Sequence, residues 1–154
     1  MVKINTFESA KLFVIFIKMN QMTPIENIYA AIGEAAYAVA MSDGKIQREE
    51  KEKFEQILND ELDGRITSSS HASIIFQVMQ KEHTSTEDAY YAAMHTFKTN
   101  SHYLSQQMKD HFIRIINRVA ESFPPATEVE KKLIAKFKTE IESLKIDPTL
   151  SKDL

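Results

Sequence analysis

Cysteine is absent from the 154-residue chain, and glycine and proline are scarce, with three and four residues respectively. The lack of cysteine excludes disulfide bonds, thiolate metal sites and cysteine nucleophiles, and it fits the reducing interior of a cell. With three scattered glycines, the chain has no glycine-rich loop that could cradle a phosphate group. We therefore expect a cytoplasmic protein whose stability rests on its apolar core.

Long apolar runs are also lacking. The N-terminal run Leu12–Ile17 has six residues between two lysines, whereas a membrane span needs about 20. The run also lacks the length and the small-residue cleavage site of a secretory signal. We interpret it as part of a buried first helix, with docking on a partner or on a membrane surface as the alternative.

Charge of one sign is not concentrated in any segment. The net charge is −3, and the densest basic stretch, Lys131–Lys138, alternates with glutamates. A nucleic-acid-binding surface needs clustered lysine and arginine to displace counterions from phosphates, so we expect no nucleic-acid partner. The 43% hydrophobic and 27% charged content is typical of a globular protein.

We divide the chain into an N-terminal helix (1–22), a helical domain (23–147) and a C-terminal tail (148–154).

Capping residues, glycine and proline mark where helices begin and end. Thr23 and Glu26 form a capping box with Pro24 at the first helical position, and Thr127 and Glu130 form a second one. Apolar residues recur at helical spacing in six segments, which begin near Thr23, Gln47, Ser70, Ser85, Leu104 and Thr127. The residues expected to face the core in the third segment are Ile74, Ile75, Val78 and Met79. No segment alternates with a period of two, so the predicted fold class is all-α, a single compact helical bundle.

An internal repeat relates the two halves of the chain. At a shift of about 80 residues, Val39–Ser42 matches Val119–Ser122, and Glu50-Lys51 matches Glu130-Lys131. Both copies place a helix end, a tight loop and a new helix start at the same offsets. We interpret the match as a degenerate duplication, with one helical hairpin per half around a shared core.

The segment around Asp43-Gly44 is the part of the sequence that could carry chemistry. Gly44 can adopt the left-handed conformation that turns the chain, Ile46 is placed to point into the core, and Glu50 follows six residues after the glycine. An EF-hand loop shares this spacing, because its chain turns around a cation and then supplies a carboxylate. In that register Asp43 is a ligand position, but the two preceding ones fall on apolar residues. The metal-ligand candidates are therefore Asp43 and Glu50.

Helix capping is the alternative explanation of the same residues. Asp43-Gly44 can end one helix, and Glu50 can be the third-position acid that reaches back to the start of the next. The second half favours this explanation, because Thr127 and Glu130 form a capping box there without Asp-Gly. Gln47 is a poor N-cap, however, and leaves Glu50 without the usual partner. Both explanations stay open at this stage.

The run from Ala36 to Glu50, with small apolar residues, Asp-Gly, a hydrophobic residue and then glutamate, resembles the TerB family of tellurite-resistance-associated proteins. The resemblance implies an all-helical, internally duplicated domain in stress-linked assemblies, with acidic residues that bind a metal. Asp43 and Glu50 match that pattern. The second half has Phe123-Pro124 where such proteins often repeat Asp-Gly.

A second acidic loop places Asn59, Glu61 and Asp63 at alternate positions before Gly64. It is similar to the front half of an EF-hand but has Ser70 where the bidentate glutamate is needed. We therefore predict an ordinary helix C-terminus here. The aromatic-rich stretch Tyr90–Tyr103 is expected to pack in the core, with a binding groove as the alternative.

Catalytic motifs are missing. The five histidines form no His-Glu-x-x-His zinc motif and no Glu-x-x-His pair, and no serine has an elbow or an acid partner. We therefore expect no enzyme activity. The leading hypothesis is a TerB-like module that engages a protein partner and binds a divalent cation, Ca²⁺ or Mg²⁺, weakly at Asp43 and Glu50. The alternatives are metal sequestration or a metal-dependent activity that uses the same acids, and a purely structural domain.

Overall fold

The computed structural model describes residues 22–46, 48–62, 66–122 and 126–145. Within these ranges the chain forms α-helices and two short 3₁₀ turns and contains no β-strand, which confirms the all-α class. The helices are α1 (Pro24–Ala40), α2 (Arg48–Glu61), α3 (Ile66–Lys81), α4 (Thr86–Thr99), α5 (Gln106–Glu121) and α6 (Glu128–Ser143). The predicted N-terminal helix, apart from Met22, and the C-terminal tail lie outside the described residues.

Side-chain caps set most of the helix starts. The Thr23 hydroxyl accepts a hydrogen bond from the Glu26 backbone N–H, and the Glu26 carboxylate accepts one from the Thr23 N–H, each at 3.2 Å. The predicted capping box is therefore confirmed. Hydroxyl groups cap the later helices in the same way, at Ser85 for α4, Ser105 for α5 and Thr127 for α6.

Helix α1 lies at the centre of the bundle. Every residue from Ile28 to Ala40 is buried, because α1 packs most extensively against α3 and α4 and also against α5. Small side chains allow this close approach. A Cβ atom added to Gly33 would lie 2.2 Å from the Ala72 carbonyl oxygen of α3. Periodicity predicted one buried face for this helix, whereas the fold encloses it on all sides.

Helix α3 differs from its prediction in both its start and its face. It begins at Ile66, four residues before the expected start near Ser70. Ile74, expected in the core, is 57% exposed, and the buried residues among the described side chains of this helix (70–81) are Ala72 and Phe76. The physical reason is tertiary packing: Ala72 meets Gly33 of α1, while the Phe76 ring stacks on Phe54 of α2 at 4.5 Å between ring centroids.

Aromatic rings connect the helices through the core. Tyr29 of α1 meets Phe112 of α5 edge to face at 5.5 Å, and Phe97 of α4 contacts both Phe112 and Phe137 of α6. The aromatic stretch of α4 is thus mostly core, as expected. Tyr91 is the exception, since it is 73% exposed and stacks on His95 at the surface. None of the described helices combines the length and apolar content needed to cross a lipid bilayer.

Candidate functional site

Asp43 ends the 3₁₀ turn Met41–Asp43 that follows α1, and its side chain is exposed. One carboxylate oxygen accepts a hydrogen bond from the Lys45 backbone N–H at 3.1 Å. Gly44 adopts a left-handed φ of 93°, as the sequence predicts, and its N–H donates to the Met41 carbonyl at 2.8 Å. Ile46 then packs against the core from a half-buried position. The loop therefore turns back sharply and presents Asp43 at its tip.

Glu50 enters from the first turn of α2 and is only 9% exposed. It shares a helix face with the buried residues Phe54 and Ile57, three or four residues apart along the helix. As the third residue of α2, it occupies the position of a capping-box acid. Gln47, the residue that would complete such a box, lies outside the described residues. Capping by Glu50 therefore stays a prediction.

Glu130, on the first turn of α6, is a third carboxylate that the sequence analysis did not assign to the site. It is 5% exposed, and its backbone N–H donates to the Thr127 hydroxyl at 3.1 Å. Burial raises the pKa of Glu130, the negative charges of Asp43 and Glu50 raise it further, and a hydrogen bond from the Thr127 backbone opposes both effects. The fold thus brings Asp43, Glu50 and Glu130 into one electrostatic neighbourhood. The repeat carried the signal, since it aligns Glu50 with Glu130.

The chemistry of this neighbourhood suits a hard cation. Carboxylate oxygens are the preferred ligands of Ca²⁺ and Mg²⁺, and a divalent cation would relieve the mutual repulsion of the three acids. In the conformation that the described residues adopt, no three or more acidic or histidine side chains are grouped closely enough to hold a metal ion. A cation at Asp43 and Glu50 would therefore take most of its ligands from water and backbone carbonyls.

Acidic residues of the second acidic loop form ion pairs with side chains of α5. Glu61, the last residue of α2, lies 3.0 Å from the Arg118 guanidinium and 3.2 Å from His111 Nε2, both on α5. The same arginine also binds Asp60 at 2.9 Å. Helix α2 ends at Glu61, in agreement with the predicted helix C-terminus, and the ion pairs of Glu61 join this end to α5. Asp63 lies outside the described residues.

Glu34, in the middle of α1, is a buried carboxyl group that the sequence analysis missed. It is 3% exposed, and its Oε1 atom has no hydrogen-bond partner among the described residues. Burial raises the pKa of Glu34 to about 8. The signal in the sequence was a single glutamate within the apolar stretch Ile28–Ala40. Glu34 is separate from the acidic neighbourhood, since burial is the one cause of its shift.

Comparison of the chain with models of known protein families, with curated proteins and with solved structures returns no match.

Proposed function

We propose that the protein is a non-catalytic, TerB-like cytoplasmic module that binds a protein partner, and that a weakly bound divalent cation at Asp43 and Glu50 modulates this binding. The observation that carries the proposal is that α6 packs against the turn ending at Asp43, which brings the buried Glu130 into the electrostatic neighbourhood of Asp43 and Glu50. An acidic loop on its own is a common surface feature. Here the loop after α1 acts electrostatically on a carboxyl group at the start of α6.

Repulsion within the acidic neighbourhood supports a cation as the ligand. Glu130 is nearly inaccessible to solvent, so water screens its interaction with Asp43 and Glu50 poorly. A divalent cation at Asp43 and Glu50 offsets their charge and thereby favours the ionised form of Glu130. Because only two carboxylates are proposed as ligands, we expect a dissociation constant on the order of 10⁻⁴ to 10⁻³ M, the range of weak Ca²⁺ modules.

We expect the partner to bind at the start of α6, where the cation changes the ionisation of Glu130. Val129, the neighbour of Glu130, is 61% exposed, so an apolar contact point lies next to the acid that the cation influences. Ionised Glu130 also accepts the hydrogen bond from the Thr127 backbone more strongly, which stabilises the first turn of α6. Cation binding is therefore expected to order the helix end that carries Val129.

Calorimetric titration of the metal-free protein with Ca²⁺, Mg²⁺, Mn²⁺ and Zn²⁺ tests the cation site. We expect saturable binding of Ca²⁺ or Mg²⁺ by the wild type and none by the Asp43→Asn, Glu50→Gln double variant. Glu49→Gln is the matched control, because Glu49 is an exposed acid directly beside Glu50. Unchanged binding in the double variant would remove the proposed site. No binding to the wild type would leave the Asp-Gly loop with a structural role.

Chemical cross-linking in a cell extract, with and without the cation, tests the partner role. We expect a specific cross-linked partner whose yield rises with the cation and falls for the Asp43→Asn, Glu50→Gln variant. Val129→Ser should lose the partner and keep cation binding, whereas Ile74→Ser, at another exposed apolar position, should keep both. A partner yield that responds to neither the cation nor Val129→Ser would contradict the proposal.

A further inference from the structure

Helices α2 and α3 leave a cavity at their interface. The two helices meet in the core through the stacked rings of Phe54 and Phe76, and a cavity of about 250 Å³ opens to the surface between them. Its lining consists of side chains that recur at helical spacing, namely Glu55, Leu58 and Asn59 of α2 and Ser70, Ser73 and Ile74 of α3. Serine side chains are too small to fill the space between helices whose axes lie about 8–10 Å apart, so the interface stays open here.

Glu55 is held in place at the wall of this cavity. Its Oε1 atom accepts hydrogen bonds from the Ser73 hydroxyl at 3.0 Å and from the Gln77 side-chain amide at 3.2 Å. The Gln77 amide also donates to the Ser73 hydroxyl at 3.0 Å, which closes a ring of three polar side chains. Because two residues of α3 already fix the carboxylate, a ligand that binds it pays little further conformational entropy.

The charge of the cavity is negative. Among the described side chains that line it, only Glu55 is charged, and its described partners, Ser73 and Gln77, are neutral. The carboxylate is half-buried, so water hydrates it less well than on an open surface, and an opposite charge is correspondingly more favourable. The Asn59 amide oxygen is a further acceptor in the lining. The cavity therefore favours a cation that donates hydrogen bonds.

The apolar part of the lining distinguishes between kinds of cation. Leu58 is buried, and Ile74 is 57% exposed. A divalent metal ion prefers several carboxylate ligands, whereas the described residues contain no group of three or more metal-binding side chains. An alkylammonium ion suits both parts of the lining, because its nitrogen donates hydrogen bonds and its methylene groups pack on apolar surface, as those of lysine do.

The volume of the cavity limits the size of the ligand. Pockets for drug-sized molecules typically measure about 300–1,000 Å³, and this cavity is smaller than that range. A short unbranched chain is therefore a better fit than a nucleotide or a ligand with several rings.

We propose that the cavity between α2 and α3 binds the primary ammonium group of a short alkyl chain, with Glu55 as its counter-ion and the side chains of Leu58 and Ile74 against its methylene groups. Ser73 and Gln77 hold the carboxylate in position. A free aliphatic amine and a lysine side chain of another polypeptide present this same chemistry. Neither Asp43 nor Glu50 lines the cavity, so the inference does not depend on the proposed function.

Nuclear magnetic resonance titration of the full chain with pentylamine at neutral pH tests the proposal. We expect saturable shifts of the amides of residues 55–59 and 70–74, with a dissociation constant on the order of 10⁻³ M. The uncharged analogue 1-pentanol should bind about tenfold more weakly, because it cannot pair with the carboxylate. Methylamine should also bind more weakly than pentylamine, since it lacks the methylene groups that cover Leu58 and Ile74.

Two further probes distinguish the sources of the ammonium group. The diamine 1,5-diaminopentane represents free aliphatic amines, and a blocked glycine-lysine-glycine tripeptide represents a polypeptide. Tighter binding of the diamine would support a free amine as the ligand, whereas tighter binding of the tripeptide would support a lysine side chain. In either case the shifted amides should be the same as with pentylamine.

Variants test the two parts of the lining separately. Glu55→Gln should weaken pentylamine binding about tenfold and leave the affinity for 1-pentanol unchanged. Glu52→Gln is the matched control, because it makes the same charge change one turn earlier on α2 and outside the lining; it should alter the affinity by less than about twofold. Ile74→Ala, at an exposed position, should weaken the binding of pentylamine more than that of methylamine. This last variant keeps the test decisive if Glu55→Gln does not fold.

Four results would overturn the proposal. The first is no saturable binding of pentylamine to the wild type. The second is equal affinity for pentylamine and 1-pentanol, which would mean that the cavity recognises only apolar surface. The third is pentylamine-induced shifts confined to residues outside α2 and α3. The fourth is an equal loss of affinity in Glu55→Gln and Glu52→Gln, which would indicate general attraction of a cation to an acidic protein.

Discussion

At the scale of single residues, Gly33 and Gly44 are required for different physical reasons. Gly33 has helical backbone geometry inside α1, and what it needs is space, because α3 approaches so closely there. Gly44 has open space around it, and what it needs is the left-handed conformation that turns the chain after Asp43. Alanine substitution therefore probes packing at one position and backbone conformation at the other.

Gly33→Ala is expected to destabilise the protein by about 1–3 kcal/mol, the usual effect of overpacking in a core. The added methyl group meets the Ala72 backbone, which cannot swing aside as a flexible side chain can. The higher helix propensity of alanine, about 1 kcal/mol, offsets only part of this loss. Urea denaturation measures the change in the free energy of unfolding. A variant as stable as the wild type would show that α1 and α3 can move apart with little loss in the free energy of unfolding.

Gly44→Ala is expected to lose about 1 kcal/mol of stability, because a Cβ atom disfavours the left-handed backbone. Gly44→Asn should lose less, since asparagine tolerates this conformation better than alanine does. A clash of the Cβ atom contributes to neither loss, because no atom of the described residues lies within 4 Å of a Cβ added at Gly44. The same denaturation experiment ranks the two variants. Equal losses for alanine and asparagine would argue against backbone conformation as the cause.

At the scale of helices, local capping chemistry was readable from the sequence and tertiary packing was not. The starts at Thr23, Ser85 and Thr127 follow from a hydroxyl that binds a nearby N–H, an interaction within four residues of chain. The start of α3 could not be found in this way, because its first turn is rich in serine and threonine. Its burial pattern depends on α1 and α2, which lie beside it only in the folded chain.

Lys109 of α5 caps the C-terminal end of α6. This lysine of α5 is 2% exposed, and its ammonium group donates hydrogen bonds to the Glu142 and Leu144 carbonyls at the C-terminal end of α6. A cation at this position satisfies carbonyls that lack partners within the helix and interacts favourably with the helix dipole. This contact could not be predicted from sequence patterns, because the two helices contribute residues more than 30 positions apart.

Lys109→Met should destabilise the protein by about 1–3 kcal/mol, since the carbonyls at the end of α6 lose a charged donor while the aliphatic packing is retained. Amide exchange should show the loss first in the last turn of α6. Lys98→Met, at an exposed lysine of α4, is the matched control and should change the stability by no more than about 0.5 kcal/mol. Equal effects of the two substitutions would mean that Lys109 does not stabilise the end of α6.

At the scale of the whole molecule, the candidate site depends on how the two halves meet. Asp43 and Glu50 were identified from one loop, because their spacing is a local property of the sequence. Glu130 was aligned with Glu50 by the repeat, but alignment indicates equivalent positions rather than proximity. Glu130 comes within electrostatic reach of Asp43 because α6 packs against the turn that follows α1 and ends at Asp43. Glu34 was missed for a related reason, since amphipathic periodicity does not anticipate a helix that is enclosed on every side.

The two buried glutamates, Glu34 and Glu130, predict an unusual dependence of global stability on pH. Burial raises the pKa of both groups, to about 8 for Glu34 from an ordinary value of 4.5. Between these two values the folded protein binds more protons than the unfolded chain does, so the free energy of unfolding falls as the pH rises. The contribution of Glu34 is complete below its unfolded pKa, declines through the neutral range and is lost above its folded pKa.

We therefore expect stability to be greatest near pH 5 and to fall toward pH 8 by up to about 1.4 kcal/mol per pH unit for each titrating group. Urea denaturation at pH 5, 6.5 and 8 measures this slope. Glu34→Gln should remove most of it and should be more stable than the wild type at pH 8, because a neutral amide replaces a group that must ionise in the core. Asp60→Asn, which removes only a surface ion pair with Arg118, should leave the slope unchanged. A wild-type stability that rises from pH 5 to pH 8 would show that Glu34 is solvated in the folded protein.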